Sequence, residues 1–150
     1  MATPIGFDPS VYNSTTADYT LGASYWATDG REFRYVKALS ALAVGDVCCW
    51  TATTPTSYTV SQSKTAPALD YCPAGIAVGT ITSGNYGFIL VKGYHASVKD
   101  AANACTAGAK LRVMTTTAGN AQLAAAATDT PIGTCIVAGS GGVCGVAVSI

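Results

Sequence analysis

Short apolar runs, each stopped by a cluster of Gly, Asn, Asp or Ser, recur along this chain and limit what it can fold into. Val47-Cys48-Cys49-Trp50, Gly75 to Ile81, Phe88 to Val91, Ile132 to Ala138 and Val143 to Val148 are the clearest of them. Runs of this length with turn signals every 8–12 residues or so are the pattern of a β-barrel or β-sandwich. Helix has little room. The alanine-rich segments 98–104 and 121–127 favour it by propensity, but neither is long enough to stand alone. The expected fold is all-β, a small β-barrel or β-sandwich with an extended N-terminal arm.

The arm is residues 1–28, and the barrel or sandwich domain is 29–150. The arm holds two prolines, several tyrosines and many Ser/Thr, with no sustained period of 2 or 3.6. Its aromatics Phe7, Tyr12, Tyr19, Tyr25 and Trp26 are costly to leave in water. They must either cap the barrel of their own chain or dock on a neighbour. From the Asp29-Gly30 turn onward the strands follow: Arg31 to Ala38, Val47 to Thr51, Tyr58 to Val60, and Gly75 to Ile81. Phe88 to Lys92 pairs back on the last of these, with Gly93 as a bulge or corner before Tyr94 to Val98. Lys110 to Met114, Ala121 to Leu123, Pro131 to Ala138 and Val143 to Ile150 complete the set.

Composition narrows the function classes. Charged residues are 11% of the 150, less than half the average share of about 25%. Eight basic residues balance eight acidic ones, and the nearest basic cluster, Arg31, Arg34 and Lys37, is interrupted by Glu32 and flanked by Asp29. Nucleic-acid binding by counterion release needs a clustered basic face, so no nucleic-acid partner is expected. No apolar run is long enough to span a bilayer, and no membrane partner is expected either. Met1 to Gly6 has no basic start or apolar core, so a signal peptide is not expected and synthesis in a host cytoplasm is. A surface of hydroxyls, small residues and tyrosines suits burial against other protein.

Chemistry-bearing motifs are sparse. The sequence has no GxSxG elbow, no phosphate-cradling GxxxxGK[ST] and no HExxH. Its single glutamate, Glu32, sits beside two arginines, and the aspartates mostly fall at turns. No catalytic residue and no cofactor is expected. Six cysteines, Cys48, Cys49, Cys72, Cys105, Cys135 and Cys144, form no CxxC pair, and His95 is the only histidine. A zinc site is therefore not expected, and cysteine as a small buried hydrophobe is the simpler reading. Cys135 and Cys144 flank a Gly/Ser turn. A hairpin centred on Ser140-Gly141 pairs Val137 with Cys144 and leaves Cys135 a diagonal neighbour, about 7–8 Å away and too far for an unstrained disulfide, whereas a turn slipped to Gly139-Ser140 would align the two cysteines for a bridge.

With these strands in place, the chain resembles the head decoration, or capsid cement, proteins of tailed bacteriophages. The resemblance runs through Tyr19 to Gly22, Thr28-Asp29-Gly30-Arg31-Glu32-Phe33-Arg34-Tyr35-Val36-Lys37-Ala38, and Leu42-Ala43-Val44-Gly45-Asp46-Val47. It continues through Ala74 to Gly79, Gly87 to Gly93, Ala107 to Leu111 and Ile132-Gly133. The six cysteines depart from the pattern. The resemblance implies a non-enzymatic virion protein on the outer capsid surface that bridges major capsid subunits. It also implies a homo-oligomer, trimer ahead of dimer. The residues expected at subunit or capsid contacts are Phe7, Tyr12, Tyr19, Tyr25, Trp26, Arg31, Arg34 and Tyr86. The alternative is a carbohydrate-binding β-sandwich module, with Tyr58, Tyr71, Tyr86 and Tyr94 stacking on sugar rings.

Overall fold

The structure is a computed structural model that describes residues 8–51, 57–63, 72–101, 103–125 and 129–150. Among the described residues ten strands run in chain order: β1 (Ser24–Trp26), β2 (Glu32–Ala38), β3 (Val47–Trp50), β4 (Thr59–Gln62), β5 (Pro73–Ala77), β6 (Tyr86–Lys99), β7 (Lys110–Val113), β8 (Ala121–Leu123), β9 (Pro131–Ser140) and β10 (Val143–Ser149). The expected all-β class holds. Strands β2, β4, β3, β5 and β6 form a ring, because β6 pairs both β5 and β2 and so closes the barrel. Only β2 with β4 is parallel. Beyond the ring, β10, β9, β7 and β8 extend the sheet as a wing.

Strand β6 builds both parts. Its 14 residues give the first half to the barrel and the second half to β10. Phe88-Ile89-Leu90-Val91 is apolar throughout because both faces are covered. By period-two alternation, Ile89 and Val91 point into the barrel with Val36, Cys48, Val60 and Ala74. Phe88 and Leu90 point outward into a second core with Phe33, Tyr35 and Ile76. That outer core continues under the wing through Leu111, Ile132 and Val146.

Two local expectations change. The strand expected at Gly75 to Ile81 is Pro73–Ala77, with proline at its first residue, where a missing N–H is tolerated. Residues 94–98 and 121–123 are strand as expected, and β6 runs one residue further, to Lys99. The last hairpin turns at Gly141-Gly142, pairing Ser140 with Val143. Both glycines have positive φ, +61° and +82°, the backbone that a two-residue type I′ turn demands. Register shifts then set Val137 opposite Gly145 rather than Cys144.

One buried carboxylate ties barrel to wing. Asp46 accepts from Ala43 N at 2.7 Å and Gln62 Nε2 at 2.6 Å. Lys99 Nζ lies 2.5 Å from its other oxygen. A cation and two N–H donors compensate the charge it carries into the interior.

Candidate functional site

Of the arm residues expected at contacts between chains, Tyr12 and Tyr25 are partly buried against the barrel, while Tyr19 and Trp26 keep exposed area. A short 3-10 turn at Pro9–Val11 starts on Asp8, whose side chain accepts from Ser10 N at 2.9 Å. The chain then crosses the outer face of β2 and β6. The ring of Tyr12 stands 5.5 Å from that of Phe88 and 5.9 Å from that of Tyr35, and Tyr19 stands 5.3 Å from Tyr35. The Tyr12 hydroxyl donates to Asp18. Tyr25 packs beside Phe33, and Tyr86 stacks on Tyr35. Asn13 bonds Thr82 and Asn85, and β1 pairs β2. The described part of the arm thus lies against its own barrel. Phe7 lies outside the described residues, as does Tyr71.

Arg31 pairs with Asp29 at 2.7 Å and holds its guanidinium 5.3 Å from the Phe33 ring. Both line a groove of about 320 Å³ with Asp8 and Tyr25. Arg34 is half-buried within β2. Tyr58, expected on a sugar surface, packs edge-on against Trp50 at 5.9 Å. Of the described arm aromatics, Trp26 is the most exposed, at 52%, followed by Tyr19 at 38%.

Trp26 belongs to a surface that the sequence reading largely missed. Lys92 Nζ lies 5.7 Å from its ring centroid. Two residues on along the same face of β6 comes Tyr94, 46% exposed. The Tyr94 hydroxyl and the Val137 side chain both lie against Gly145 of β10. Val137 and its neighbour Ile136 are 54% and 53% exposed. The outer face of β6, β10 and β9 therefore carries apolar and aromatic side chains in open water, with Lys92 and its register partner Glu32 as charges at its edge. Cys135 to Ala138 is apolar at every position, so alternation could not say which side faced out.

A second cluster is buried and polar. Asp100 follows β6 at the start of a loop, and its two oxygens accept from Ala104 N at 3.2 Å and Cys105 N at 2.9 Å. Ligand atoms of Asp100, Cys105 and Cys144 all lie within 4.8 Å of one another. Cys135, on β9, is in hydrogen-bonding contact with Cys144 and donates to Val137 O at 3.2 Å. All four side chains are buried. Burial first, and then the neighbouring acidic groups, push the Cys105 thiol well up and the Cys144 thiol to about 11. Burial also raises Cys135. These thiols are protonated at neutral pH, which makes them poor nucleophiles.

His95 is partly buried, with Nδ1 accepting from Ser97 N at 3.2 Å. Burial, then the charge of Arg31, lowers its pKa from 6.5. No protein-family model, no curated protein and no solved structure matches the chain.

Proposed function

We propose that this protein is a capsid decoration subunit, seated on the outer surface of a phage head and bridging major capsid subunits to stabilise the shell. The observation that carries the reading is the outer face of β6, β10 and β9. It presents Trp26, Tyr94, Ile136 and Val137 in a chain whose charged fraction is only 11%. Monomeric proteins seldom leave contiguous apolar surface of this kind uncovered. A face with few ions meets another protein without the cost of stripping water from charges. Each contact can be weak, since many copies on a closed lattice add up through effective concentration. The resemblance in Thr28 to Ala38 supplies the particular partner.

The test is addition of purified protein to expanded phage heads, followed by sedimentation. Stoichiometric binding is expected, with Val137→Lys reducing it at least about tenfold, because a desolvated charge inside an interface costs more than about 1.4 kcal/mol. Protein that never adheres to such particles would sink the proposal.

A second reading has one observation in its favour. Trp26 and Tyr94 flank Lys92 on a single sheet face, and exposed rings on such a platform can stack on sugars. A glycan array separates the two: sugar binding lost in Tyr94→Ala would favour a carbohydrate module.

A further inference from the structure

We propose that Asp100, Cys105 and Cys144 form a binding site for a soft divalent cation, Zn(II) by preference, that staples the loop after β6 to the β9–β10 hairpin. This goes beyond the decoration role and does not depend on it.

The first support is the contrast between the two buried acids among the described residues. Asp46 has Lys99 beside it. Asp100 is 1% exposed, and among the described residues no Lys or Arg pairs with it. Two backbone N–H groups and the Cys105 thiol bond it and orient the carboxylate, and none of these partners carries a positive charge. A buried carboxylate without a cation is costly unless something positive shares its site.

The second support is the set of atoms it faces. Thiolate sulfur with one carboxylate oxygen is a donor set that selects Zn(II) among the common biological cations, because hard cations prefer all-oxygen shells. A tetrahedral zinc with Zn–S near 2.3 Å places its sulfurs about 3.8 Å apart. Atoms already within 4.8 Å of one another need only a small inward adjustment. Cys135 lies beside Cys144 but outside this group, so three protein donors hold the ion and the fourth position is left to water.

The third support is how firmly the segments are held. Gly139 N donates to Cys105 O, Gly108 N to Cys135 O and Cys135 N to Ala109 O, each at 2.8 Å. Asp100 N bonds Gly142 O, and Gly142 N bonds the Asn103 side chain. Gly139 leaves the space the carboxylate occupies; a Cβ there would stand 2.1 Å from an Asp100 oxygen. The donors are therefore placed by backbone before any ion arrives. Binding displaces the thiol protons to solvent as S–H becomes S–Zn, so affinity rises with pH.

The experiment uses the full chain, purified under reducing conditions, stripped with a chelator and titrated with Zn(II) against a chromophoric competitor. One equivalent is expected. Co(II) in its place should give the visible absorption of a tetrahedral thiolate complex, and the melting temperature should rise with added Zn(II). Cys144→Ser and Asp100→Asn should each weaken uptake at least about tenfold. Cys72→Ser, at an exposed thiol outside the cluster, should leave it unchanged. Folded wild-type chain that takes up no zinc would overturn the proposal, and so would uptake lost only in Cys72→Ser. A Cys105–Cys144 disulfide that survives the reducing purification would overturn it too. If Cys144→Ser does not fold, Asp100→Asn and the wild-type titration decide.

Discussion

At the scale of the residue, burial determines how each ionisable group responds to pH. His95 is neutral in the fold because burial and the nearby Arg31 both disfavour its charged form, placing its pKa below 6.5. The unfolded chain, at 6.5, binds that proton more readily. Stability from this group is therefore complete above pH 6.5 and is lost as pH falls from there through the lower folded value. Urea unfolding midpoints should decline over that window, and His95→Gln should flatten the decline. Carboxylates contribute at lower pH with the same sign. Asp8 is held below 3.8 by hydrogen bonds from Ser10, Asp18 by its bonds from Tyr12 and Ser14, and Asp29 by the backbone of Arg31. Their contribution fades only below pH 3.8, so the two windows are separable. A midpoint that is flat between pH 7 and pH 5 in the wild type would contradict the assignment to His95.

At the scale of the element, the arm behaves as part of the fold. Tyr12 shields Phe88 and Tyr35, which are 4% and 0% exposed beneath it. Tyr12→Ala should cost about 2 kcal/mol in urea unfolding, below the roughly 3–5 kcal/mol typical of a fully buried aromatic because Tyr12 is only partly covered. The loss should not depend on protein concentration, whereas a ring serving only contacts between copies would give a concentration-dependent loss or none. Sequence could not decide this. The arm's one strand, β1, is three residues of Ser-Tyr-Trp with no alternation to read, and its place is set by pairing with β2. Strands such as β2 and β10 were legible because turn residues bound them and their alternating positions divide between two buried layers. The exposed face was half legible. Trp26 stood out as an aromatic without a period, but Ile136 and Val137 looked like any core strand. The Asp100 cluster was illegible for a different reason: its members span positions 100 to 144, and only the folding of a loop over the last hairpin brings them together.

At the scale of the whole molecule, the question is whether barrel and wing are one cooperative unit. The covalent and energetic connections say they are. Strand β6 runs unbroken from the ring into the wing, and the outer core passes from Phe33 and Phe88 under the barrel wall to Ile132 and Val146 without a gap. Asp46 of the loop before β3 binds Lys99 at the far end of β6, and Gly119 O accepts from Val47 N at 2.8 Å. To unfold the wing alone would strip the cover from β6 and β10 on one face and leave that apolar surface in water, at about 25 cal/mol per Å². The barrel gains nothing in return. Denaturation should therefore be a single transition. In a Trp26→Phe background the fluorescence of Trp50, which packs against the barrel core, reports the ring. Far-UV circular dichroism reports all ten strands. The two curves should share one midpoint and one slope, and a circular dichroism change completed before Trp50 responds would mean that the wing folds and unfolds by itself.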